Sequence, residues 1–146
     1  MGYDMYRENA DNRNDGDGYY RLNVWGMSEA RPILAKFGIV RWADSPPPPD
    51  GEKFGITEYF DEAVTPEQKS YALALEQWRD GPNGEGPGIP SYKLGSNDGW
   101  LVLPLEIRSG IGFADANHPN WRKVMDDWVL EFVVWMEGST DGFRVW

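Results

Sequence analysis

A chain of 146 residues, 40% apolar and 14% aromatic, can bury about two-thirds of its unfolded surface, so a single folded domain over 1–146 is expected. Lys and Arg total 14 against 24 Asp and Glu, and the resulting net charge of −10 argues against direct nucleic-acid binding. The lack of cysteine excludes disulfides, thiolate metal sites and a cysteine nucleophile, and no apolar run approaches the ~20 residues of a membrane span. The opening residues lack the basic and apolar regions of a signal peptide. A soluble, cytoplasmic protein with no membrane association is the expectation.

Gly2–Arg7 alternates well enough for a strand that buries Tyr3 and Met5, and Glu8–Gly18 is all turn formers and charge. Tyr19–Trp25 reads as a second strand, with Tyr20, Leu22 and Val24 on one face and Tyr19, Arg21, Asn23 and Trp25 on the other. Together they predict a hairpin with a long tip. Ser28 then caps a helix running to Phe37. Pro32 belongs in a first turn, so the helix should begin no earlier than about Ser28, and Gly38 ends it. Ile39–Ala43 predicts a strand, and Ser45–Asp50 a stiff polyproline spacer.

Thr57–Val64 has room for one or two helical turns. Thr65-Pro66-Glu67-Gln68 is a strong helix start, with Tyr71, Ala72, Leu75 and Trp78 as the inner face and Gly81 as the stop. The glycine-rich Gly81–Gly88 lacks the lysine-serine ending of a phosphate loop. Tyr92–Leu94 and Trp100–Leu103 predict two short strands around an Asn97-Asp98-Gly99 turn. Pro104 opens a short helix holding Leu105, Ile107 and Ile111, although Leu103 offers no capping oxygen ahead of it. Phe143–Trp146 reads as a closing strand.

Between them lies Pro119–Glu137, where Trp121, Val124, Met125, Trp128, Val129, Phe132, Trp135 and Met136 recur every three or four residues. This predicts one continuous helix that starts at Pro119, is capped by His118 or Asn117, and buries both Trp128 and Phe132. Leu130 and Val134 fall on its opposite face as a second apolar patch. Their cover would come from the Phe143–Trp146 segment or from a twin subunit. A single Leu–Val pair is too small for a dimer interface of about 800 Å² per partner, so a monomer is favoured over a homodimer. The expected fold is α+β: a small, mainly antiparallel sheet with three to four helices, and a long C-terminal Trp-rich helix packed on one face.

Motifs for chemistry are sparse. His118 is the only histidine, which excludes a multi-histidine metal site. Asp126, Asp127 and Glu131 supply carboxylate pairs, but they flank the apolar stripe where charges meet water. Asp11, Asp15 and Asp17 with Gly16 resemble part of a calcium loop, yet Arg13 and Leu22 occupy two liganding positions. Asn97, Asp98 and Trp100 form the most polar cluster beside a large aromatic. They make either a recognition loop that presents Trp100 or a turn whose Trp100 starts a core strand. No cofactor is implied.

Three segments, YYRLNVWGM (Tyr19–Met27), IPSYKLGSNDGWLV (Ile89–Val102) and GFRVW (Gly142–Trp146), resemble those of small uncharacterised proteins of actinobacteria and their phages. The resemblance implies a context, an accessory protein borne by a phage and acting in the cytoplasm of its bacterial host, and no chemistry. The expected function is therefore that of a non-catalytic, acidic interaction protein that binds a host protein. The alternatives are a small-ligand binder, a carboxylate-based enzyme near Asn97–Trp100, or a self-assembling structural protein. The loop carrying Asp11 and Asp15 is expected to bind no specific calcium. A calorimetric titration that found micromolar affinity, abolished by Asp15→Ala, would contradict this.

Overall fold

Side-chain alternation and helix capping build the chain as follows in the computed structural model, which describes residues 2–10, 16–81 and 86–146. In order come β1 (Gly2–Arg7), β2 (Tyr19–Asn23), α1 (Val24–Lys36), β3 (Val40–Arg41) and α2 (Pro66–Asp80). Then follow β4 (Ile89–Pro90), α3 (Ser91–Leu94), β5 (Leu101–Val102) and α4 (Pro104–Asn117), and finally α5 (Trp121–Val124), α6 (Asp127–Glu137) and β6 (Phe143–Val145). The fold is α+β. β2-β1-β6-β5 form an antiparallel sheet, with Met5 opposite both Tyr20 and Val145, while β3 and β4 pair in parallel. The chain divides into two compact units, Met1–Ser45 with Asn83–Trp146, and Pro46–Pro82.

In the first unit the inner sheet face carries Met5, Val102, Phe143 and Val145, all buried, beside Tyr20 and Leu22. α6 packs on that face through rings: Phe132 and Trp135 lie 5.4 and 5.5 Å from Tyr20, and Trp135 lies 5.1 Å from Phe143. The outer face is polar. There Asp4 accepts hydrogen bonds from Tyr19 and Arg21, and Arg144 pairs with Glu8. α4 approaches β3 and β4 at Gly110, where a Cβ would stand 2.6 Å from the Ile39 carbonyl oxygen, so this contact needs a glycine.

In the second unit Thr65 and Gln68 form the expected capping box: the Thr65 hydroxyl accepts from the Gln68 amide, and Gln68 Oε1 accepts from the Thr65 amide, each at 3.1 Å. Tyr71 meets Phe54 and Phe60, and Trp78 Nε1 donates to the Pro46 carbonyl at 3.0 Å. None of the described residues of this unit is fully buried. Thr57–Val64 is not helical. A 3-10 turn forms earlier, at Gly51–Phe54, because the Asp50 carboxylate caps it and Gly55 supplies the left-handed exit at φ +76°.

Several expectations need correction. α1 starts at Val24 rather than Ser28, because Asn23 caps it by accepting from the Gly26 amide at 2.6 Å, and Pro32 sits inside the helix. Tyr92–Leu94 is a helical turn and not a strand, so Asn97–Gly99 links α3 to β5 instead of closing a hairpin. The helix opened by Pro104 is not short; α4 runs for 14 residues. His118 closes the C-terminal end of α4, its amide donating to the Ala114 carbonyl, and does not cap the helix that follows.

The largest change is in the Trp-rich stretch, which is two helices. Met125 and Asp126 are extended (ψ 142° and 136°), and the Asp126 carbonyl takes the first bonds of α6. Aspartates favour helix starts over interiors, and Asp127 sits well at the positive end of α6. The break lets Trp121 and Met125 turn inward while Val124 stands 65% exposed. It also moves Trp128 into the first turn of α6, where it is only half-buried, so of the two residues expected to be enclosed only Phe132 is. Phe132→Ala is therefore expected to cost ~3–5 kcal/mol in urea denaturation. Trp128→Ala should cost clearly less, and an equal loss would contradict this burial.

Candidate functional site

Beneath the surface, a buried ion pair fixes the segment that bears the expected recognition loop. Lys93 (0% exposed) on α3 donates from Nζ to Glu106 Oε1 at 2.9 Å and to the Leu101 carbonyl at 2.8 Å. Glu106 (4% exposed) also accepts from the Leu103 amide at 2.9 Å, the half of a capping box that Leu103 can still take part in. The pair thus ties α3, β5 and the start of α4 together. The second oxygen of Glu106, Oε2, is buried with no hydrogen-bond partner among the described residues, a costly arrangement that the rest of the cluster must hold in place.

Above this pair Tyr92 meets Trp100 edge-on, with ring centroids 4.9 Å apart. Burial, and after it the Glu106 charge, raises the Tyr92 hydroxyl above the ordinary tyrosine pKa, with Arg41 opposing, so it stays neutral at neutral pH. Trp100 is buried, not presented. Of the three expected loop residues, Asn97 donates to the Gly2 carbonyl and Asp98 is exposed. Asp98 lines a polar cleft of about 300 Å³ with Arg31, Asp44, Ser91, Tyr92 and Ser96. Ser91 is already engaged there: its hydroxyl accepts from the Ala43 amide at 3.0 Å and donates to the Ala43 carbonyl at 3.2 Å.

That serine clamp has a consequence on the neighbouring surface. Arg41 is held by the β3–β4 ladder and Ala43 by Ser91, so the backbone at Trp42 between them is fixed, yet the side chain stands 63% exposed. Close by, Phe113 of α4 lies directly on the backbone of Gly38, whose φ of +81° and missing Cβ both suit it, and remains 39% exposed. Trp42 and Phe113 share a mainly apolar groove of about 380 Å³ with Ala35, Val40 and Pro87. Among the described residues, the charged ones that line it are Lys36 and Arg41, both cationic. Sequence reasoning assigned Trp42 to a strand and singled out neither Trp42 nor Phe113. Their partnership depends on α4 crossing the end of α1, which no local pattern encodes.

The remaining candidates do not converge. Leu130 is half-buried against the core, while Val134 is 55% exposed, so the two do not make one uncovered patch, and Phe143–Trp146 runs within the sheet. Asp17 is exposed in a 3-10 turn, and its carbonyl accepts from Trp135 Nε1; Asp11 and Asp15 lie outside the described residues. Asp126, Asp127 and Glu131 are all exposed. A separate pocket of about 400 Å³ lies between α4 and α6, floored by Ile107 and Met136 and walled by Arg108, Asp115 and Glu137. Its carboxylates are occupied, Asp115 by Trp121 Nε1 at 2.8 Å and Glu137 by both terminal nitrogens of Arg122 at 2.9 Å. No family model, curated protein or solved structure matches the chain.

The buried pair yields a test. Removing one partner leaves an uncompensated charge, so Lys93→Met is expected to cost ~3–5 kcal/mol in chemical denaturation. The double variant Lys93→Met/Glu106→Leu should recover most of that loss. A double variant no more stable than the single one would show that the two residues are not coupled.

Proposed function

We propose that the protein is a non-catalytic interaction protein that docks a partner protein through the Trp42–Phe113 groove. The observation that carries this reading is Trp42, a large aromatic held at both flanking residues and still 63% exposed. Tryptophan is enriched among the residues that dominate binding energy, and one on a backbone already held in place adds no backbone-ordering cost when a partner covers it. Two further features support a binding role over catalysis. The carboxylates of α6, on Asp127, Glu131 and Glu137, are exposed. Lys93 and Glu106 are enclosed and bonded to each other.

A second reading, a small-ligand binder, is favoured by the α4–α6 pocket, whose volume of about 400 Å³ and apolar floor suit a compact ligand. The two readings separate by mutation. With tagged protein cross-linked in cells, Trp42→Ala and Phe113→Ala should each lose the bound partner at least about tenfold, ~1.4 kcal/mol or more, with an unchanged circular dichroism spectrum. A partner retained by both variants, but lost on Ile107→Glu, would favour the second reading.

A further inference from the structure

The inference concerns what the groove accepts, and it rests on the reading of that groove as a docking surface. We propose that the groove takes an acidic peptide segment of a partner, with one aromatic or large aliphatic side chain between Lys36 and Arg41 and carboxylates on either side of it.

The first argument is local charge. The protein carries a net −10, but no Asp or Glu is among the described residues that line this groove, which holds Lys36 and Arg41. Neither cation has an ion-pair partner among the described residues; Lys36 Nζ lies 5.6 Å over the Phe37 ring. Arg41 Nε is buried and bonded to none of the described residues, which leaves the terminal nitrogens of the guanidinium to meet a carboxylate. A basic segment would be attracted by the whole molecule and repelled at the groove itself.

The second argument is size. At about 380 Å³ the groove is near the lower end of ordinary ligand sites, roughly 300–1,000 Å³, which suits one side chain and its neighbours better than a whole helix face. Trp42 and Phe113 supply the apolar walls for that side chain.

Single-stranded nucleic acid would also stack on Trp42. It brings a charge at every nucleotide, however, and two cations cannot offset the repulsion from the rest of the surface at physiological salt. A peptide with a few carboxylates meets the same two cations at far smaller electrostatic cost.

The test is fluorescence anisotropy with labelled short peptides: a central tryptophan flanked by glutamates, the same peptide with lysines for glutamates, the glutamate peptide with alanine for tryptophan, and an oligothymidylate. The glutamate–tryptophan peptide is expected to bind at least about tenfold more tightly than the other three. Arg41→Glu and Lys36→Glu should each weaken it several-fold, and Arg41→Glu should improve the lysine peptide. Circular dichroism and the thermal midpoint confirm that each variant is folded. Equal binding of the glutamate and lysine peptides overturns the acidic preference, and tighter binding of the oligothymidylate overturns the choice of a peptide. Binding of no probe also overturns this inference. If Trp42→Ala still abolishes capture of the cellular partner in that case, the docking reading stands and only the partner chemistry fails. If Trp42→Ala retains that partner, both fall. Concentration-dependent self-association abolished by Trp42→Ala would instead identify a second copy of the chain as the occupant.

Discussion

Much of this molecule depends on one enclosed carboxylate. With its partner Lys93, Glu106 joins three elements that are otherwise short and weakly paired: the single turn α3, the two-residue strand β5 and the first turn of α4. Two residues of β-ladder cannot hold a register alone, and a four-residue helix is unstable in isolation. Because the ion pair is desolvated, its members must remain together, and that requirement orders the segment around them. The order passes upward through Ser91, adjacent to Tyr92 on α3, to Ala43 and the surface beyond.

The surface at Trp42 differs from the rest of the chain in two respects. Acidic residues outnumber basic ones by ten overall, which favours solubility. Around Trp42 and Phe113 the described lining residues contain cations only, and the aromatic rings are left partly uncovered. Folded proteins commonly leave single apolar residues exposed, but an apolar groove with a tryptophan on a fixed backbone is a different matter. The α4–α6 pocket lacks this contrast, since its carboxylates already have partners.

How much of this was legible in the sequence depended on the range of the interactions. The Thr65–Gln68 box, the hairpin faces over Tyr19–Asn23, the closing strand and the α+β class follow from neighbours in sequence and stand as expected, whereas Val24 and Trp25, expected to continue the second strand, open α1 instead. The periodic stripe correctly marked Phe132 and Trp135 as core, but periodicity is nearly blind to a two-residue break, and Met125-Asp126 preserved enough of the pattern to conceal one. The start of α1 was missed because Pro32 was given more weight than an asparagine cap nine residues before it. Lys93 left no trace at all, since a lysine in a short polar segment ordinarily reads as solvated. Glu106 left a faint one, as the third residue after the helix cap. The surface site was the least legible part, because Trp42 and Phe113 are brought together by tertiary packing alone.

The position of β6 has a consequence for synthesis. β1 lies between β2 and β6, and Met5 pairs with Val145, so one edge of the first strand waits for a partner that is made much later in the chain. During that interval the early hairpin presents an open row of amides and carbonyls with Met5 and Tyr20 uncovered, a surface that invites misplaced pairing or a chaperone. The sheet can close only after translation has passed residue 145, and contacts of such long sequence separation make its closure slow.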